Sequence, residues 1–136
     1  MRKSKKFKPL TTLIALETWD FGMYVFINSN VEDAKKYLKG FKHYKTNDKI
    51  VLENYEEFLD NELQAGLAVE VTNDLHRTHA LFIKDAYDNW KFWDRLLHET
   101  SHKTMHLLQN KSAWEEPEAV ACTQEAMFRV IREKLK

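Results

Sequence analysis

The chain of 136 residues suits one domain with one modest core; with 43% apolar and 31% charged residues it reads as a folded protein, not a disordered one. A formal net charge of zero argues against a protein that coats nucleic acid, and no apolar run approaches the length of a membrane-spanning helix. The single cysteine, Cys122, excludes an internal disulfide and, with no export signal legible in the first residues, points to a reducing, cytoplasmic setting.

In chain order, "MRKSKKFK" carries five basic residues in eight, so residues 1–9 are expected to be a flexible basic tail and 10–136 a single domain. "LTTLIALE" and "GMYVFINS" are rich in β-branched and aromatic residues and predict two neighbouring strands, a hairpin across "TWDFG". "NSNVEDAKKYLKG" predicts a short helix with Asn30 as its cap and Gly40 after its last turn. Within residues 41–66 only "ENYEEFLDNEL" has helical spacing, at Tyr55, Phe58, Leu59 and Leu63. "GLAVEVT" sets Leu67, Val69 and Val71 against Ala68 and Glu70, a half-buried strand, and "HALFIKD" is a second strand reached through a polar turn.

From Asp88 the pattern turns helical. Trp90, Trp93, Leu97, Thr104 and Leu108 form the expected core stripe, with Asp85 or Asp88 as cap and Asn110 near the end. Both tryptophans are assigned to packing. Pro117 opens a final helix with apolar positions at Ala121, Met127, Phe128, Ile131 and Leu135. Strands with one or two helices, then two long helices, make an α+β class.

The first long helix contains "HETSH". His98 and His102 lie four residues apart, about 40° around the axis and one turn along it, so both imidazoles can meet one ion. Glu99 falls beside the ion's open side. This is the HExxH arrangement, two zinc ligands and a general base. His106 is too far along: eight residues from His98 is a rise of about 12 Å, against zinc–nitrogen bonds of about 2 Å. It is read as a residue beside the site or at the helix end.

A catalytic zinc needs a third protein ligand and a free position for water. "EEPEAVA" offers Glu115, Glu116 and Glu118, and the short link implies an antiparallel helix pair. Glu118 is favoured over Glu115 because it lies inside the second helix, on a face shared with Ala121, Cys122 and Glu125. Its simpler reading is a first-turn carboxylate favoured by the helix dipole. Cys122 is expected to be a small buried residue.

"HETSH", followed after fifteen residues by "EAVA", resembles the zincin metallopeptidases of the gluzincin type, and more narrowly small metallopeptidases encoded by phages and prophages. The resemblance implies a short sheet packed on an HExxH helix, then a C-terminal helix carrying the third ligand. His98 and His102 match the histidine ligands, Glu118 the third ligand and Glu99 the catalytic base. No Tyr or His matches the residue that many zincins use to stabilise the oxyanion.

The leading expectation is a zinc-dependent peptidase or amide hydrolase whose substrate is a peptide or protein, lying along an exposed edge of "HALFIKD". Tyr87, His79 and His76 are candidates to assist, though each fits a structural or surface role, and Asp94 could orient the His98 ring. Competing readings are an inactive zincin-fold metal-binding regulatory module and a metal-free interaction protein whose basic tail engages nucleic acid.

Overall fold

Apolar residues run almost unbroken along "FGMYVFI" and "ALFI", as they must in strands buried on both faces. In the computed structural model, which describes residues 4–16, 21–40, 46–72, 77–110 and 116–136, these two stretches are the central strands of a four-stranded sheet. The order of elements is β1 (Leu10–Leu16), β2 (Phe21–Ile27), α1 (Val31–Lys39), α2 (Thr46–Asp60), β3 (Gly66–Thr72), β4 (Arg77–Ile83), α3 (Trp90–Asn110) and α4 (Pro117–Lys134).

The sheet order is β1-β2-β4-β3. β1 pairs antiparallel with β2, β2 parallel with β4, and β4 antiparallel with β3. The expected neighbouring pair, β1 with β2, is antiparallel. The parallel pair requires a crossover, which α1, α2 and β3 supply.

Alternate residues of the central strands feed two cores. Met23, Val25, Ile27, Leu81 and Ile83 face α3 and α4, where Phe92, Leu96, Leu107, Met127 and Ile131 meet them. Tyr24, Phe26, Ala80 and Phe82 face α1 and α2, against Leu38, Val51, Tyr55 and Phe58. The α+β expectation therefore takes the form of a mixed sheet with helices on both faces. The aromatic share of the second core is high, with Phe26, Tyr55, Phe58 and Phe82 in mutual ring contact.

Local signals explain several boundaries. Asn30 caps α1 by accepting from the Asp33 N–H at 2.8 Å, as expected. α2 begins earlier than its legible periodicity, at Thr46. α3 is capped by Asn89, whose Oδ1 accepts from Phe92 N–H at 3.2 Å, and not by Asp85 or Asp88. Asp88 instead accepts from the Trp93 indole, and Asp85 adopts a left-handed φ of 53°.

The stretch expected to be a free tail is attached to the domain along its second half. Phe7 packs on Phe92 and Trp93, and the backbones of Lys5 and Phe7 bond to Asp88 and Ala86. Asn28, also left-handed, uses its side chain to bind Phe7 and Ala86 carbonyls and the Ala86 N–H. One apolar residue among the lysines is enough to anchor the segment. Among the described residues no helix is long and apolar enough to cross a membrane.

Candidate metal centre

α3 lies across the sheet with Leu96, Glu99, Thr100, Lys103 and Leu107 turned inward, all buried. The expected stripe is only partly right. Thr104 and Leu108 are buried and Trp93 packs among Phe7, Phe92 and Phe128, but Trp90 is 70% and Leu97 50% exposed. Polar residues occupy inward positions, which shifts the true face away from the one that apolar residues alone mark out.

His98 and His102 emerge at the rim of this face, both exposed. Their Nε2 atoms are 3.1 Å apart. Two nitrogens bound to one tetrahedral zinc at about 2.0–2.1 Å would be about 3.3–3.4 Å apart, so the pair is already close to the spacing of ligands sharing an ion. Glu99 Oε1 lies 3.8 Å from His98 Nε2. Glu99 is 4% exposed and its Oε2 is buried without a hydrogen-bond partner. Burial pushes its pKa up, opposed by the nearby charges of His98, His102, Arg95 and Lys103. A buried carboxylate with an unused oxygen beside two convergent imidazoles fits a metal centre with a base next to it. Ligand atoms of His98, Glu99 and His102 all lie within 4.8 Å of one another.

Gly66 explains how Glu99 reaches this position. A Cβ on Gly66 would come within 2.7 Å of Arg95 Cδ and 3.1 Å of Glu99 Cγ, so the missing side chain lets α3 settle on the start of β3. Beside this contact opens a cleft of about 720 Å³, with Ala65, Tyr87, Trp90, Asp94, Arg95 and His98 on its walls.

Glu118 is not brought to the histidine pair. It is exposed in the first turn of α4 and shares no ligand group with His98 or His102. The face expected to meet α3 points to solvent: Ala121, Cys122 and Glu125 are all exposed. α4 docks instead through buried Thr123, Met127 and Ile131, and Gln124 donates to Ser101 Oγ at 2.7 Å. Cys122 is thus a surface residue, a correction set by this rotation of α4. Glu115 and His76 lie outside the described residues.

The strand carrying "HALFIKD" has no exposed edge, because β4 is paired on both sides. The free edge among the described strands on this side is that of β3. Lys84 N–H donates to the Ala65 carbonyl, which fixes the antiparallel phase. Leu67, Val69 and Val71 then exchange bonds with β4, and the backbone groups of Gly66, Ala68 and Glu70 turn outward.

A second set of polar groups lies further along α3. Lys103, fully buried, donates to the Val69 carbonyl, and its Nζ lies 3.2 Å from His79 Nδ1. Burial, with added repulsion from Lys103, holds the His79 pKa down at about 3. Burial likewise lowers Lys103 to about 7, with Glu70 and Glu99 acting in the opposite direction. His79, expected to be structural or an assistant, is buried away from the His98–His102 group. Sequence reasoning missed Arg95, Gly66, Glu70 and Lys103. Lys103 was within reach, since it stands four residues after Glu99 on the same helical face.

Comparison with known proteins finds no matching family model, no similar curated protein and no similar solved structure.

Proposed function

We propose that the protein is a zinc-dependent hydrolase of the zincin type, acting on peptide or amide bonds. The observation that carries this reading is the convergence of His98 and His102 Nε2 at 3.1 Å beside the buried Glu99 carboxylate. His98 and His102 would hold the metal, and Glu118, exposed at the head of the neighbouring α4, is the third ligand the sequence pattern offers. When bound, zinc supplies an acidified water and polarises the scissile carbonyl.

The chain's own residues do the rest. Glu99 accepts the proton of the attacking water and hands it to the leaving amine; its raised pKa moves it towards the pH at which both steps run. Arg95, on the cleft wall with His98, supplies positive charge for the developing oxyanion. The outward backbone groups of Gly66 and Ala68 receive an extended peptide as an added strand. Trp90 and Tyr87 offer apolar surface to its side chains in the cleft.

The alternative, a metal-binding module that does not catalyse, would use the same ligands and leave Glu99 without a role. Metal analysis of protein produced without added zinc tests the reading at its base. His98→Ala should lower the bound zinc by one equivalent; zinc content indifferent to that substitution contradicts both the enzyme and the module.

A further inference from the structure

We propose that Glu70, His79 and His106 form a second transition-metal site, distinct from the His98–His102 pair. Their ligand atoms all lie within 4.8 Å of one another, and His79 Nδ1 is 3.7 Å from Glu70 Oε2. The three residues come from β3, β4 and α3, so the fold itself brings the donors together. Glu70 and His79 are cross-strand partners. His106 projects from α3 towards His79, with ring centroids 6.3 Å apart.

Two imidazoles and one carboxylate are the donor set that zinc and its neighbours in the transition series take, with a position left over. The state of the donors agrees. His79 is buried, which favours the neutral ring a metal requires. His106 Nδ1 is buried and has no hydrogen-bond partner, an uncompensated cost that a bound ion removes. Glu70, less buried than His79, provides the entrance from solvent.

The Lys103 ammonium occupies the same neighbourhood, between the Val69 carbonyl and His79 Nδ1. Burial makes its charge easy to give up, with only Glu70 and Glu99 holding it, and it is the competitor that an entering ion displaces. An ion held here ties the β3–β4 pair to the C-terminal part of α3, the helix that carries His98, Glu99 and His102. The second site therefore stands independently of catalysis.

The test is titration of metal-free protein with Co²⁺, followed by visible absorption and confirmed with Zn²⁺ by calorimetry, with circular dichroism as the check on folding. Wild type should take up two equivalents, His98→Ala/His102→Ala one, and His98→Ala/His102→Ala/His106→Ala none. His106→Ala alone should reduce two equivalents to one, which keeps the test available if the multiple variants do not fold. Lys103→Met should raise affinity at the second site at least tenfold, because the resident ammonium is gone. If instead only metal binding at the His98–His102 pair fails, and the hydrolase reading with it, wild type takes up one equivalent, which His98→Ala/His102→Ala keeps and His106→Ala loses. The second site is overturned if His98→Ala/His102→Ala binds nothing, or if wild type and His106→Ala bind equal amounts.

Discussion

Gly66 and Glu99 meet at a contact where one added carbon matters. Gly66→Ala puts a Cβ within 2.7 Å of Arg95 Cδ and 3.1 Å of Glu99 Cγ. Because the Arg95 side chain is flexible and exposed, the fold can yield at a cost of about 1 kcal/mol, whereas the position of Glu99 cannot shift without consequence. The expected outcome is hydrolysis reduced about tenfold or more with the melting temperature within a few degrees of wild type; unchanged turnover would show that the contact does not set Glu99. His79 makes a pH prediction. Its pKa is held near 3 by burial first and Lys103 second, against 6.5 when unconstrained. Between those values the unfolded chain binds a proton that the folded protein refuses. Stability is therefore complete above about pH 6.5 and falls on acidification towards pH 3, by up to about 1.4 kcal/mol per pH unit from this group. Urea titrations of metal-free protein at several pH values should show a shallower acid loss in His79→Phe; identical slopes would contradict the assignment. At this scale "HETSH" was legible because the helix repeat turns spacing into direction. The Glu70–His79 pairing was not, because it depends on hairpin register across a turn.

The elements show where periodicity suffices and where it misleads. Alternation in "GLAVEVT" identified β3 and its inward residues, since a strand has only two faces. α3 was recognisable as a helix, but its inward face was misplaced because Thr100, Lys103 and Glu99 sit where apolar residues were sought. The orientation of α4 was illegible for a related reason: small residues at Ala121 and Cys122 suit close packing, yet Thr123 and Met127 take that role. Leu96 is fully buried in the core that α3 shares with Leu81 and Ile83. Leu96→Ala should cost about 2–5 kcal/mol in chemical denaturation, and a loss under 1 kcal/mol would mean that α3 is held elsewhere. Trp90, exposed on the cleft wall, predicts the opposite profile. Trp90→Ala should leave stability within about 0.5 kcal/mol and raise KM for substrates with bulky apolar side chains; a loss of stability without a change in KM would return Trp90 to a packing role.

For the whole molecule, the strand and helix inventory followed from the sequence, but the three-layer arrangement did not. The decisive step is the parallel β2–β4 pairing, a contact between distant segments that local pattern does not encode. That pairing makes β4 a central strand, leaves the edge of β3 open beside Gly66, and sets α3 across the sheet so that Glu99 is buried while His98 and His102 reach solvent. The proposed function requires this geometry to perform zinc-dependent hydrolysis with Glu99 as base. Its most direct measurement is cleavage of a mixed peptide library by zinc-loaded wild type and Glu99→Gln, with metal content determined on the same samples. Wild type should cleave, and Glu99→Gln should retain its zinc while losing about 10²–10⁴-fold in rate. Cleavage undiminished in Glu99→Gln, or none by fully loaded wild type, would contradict it.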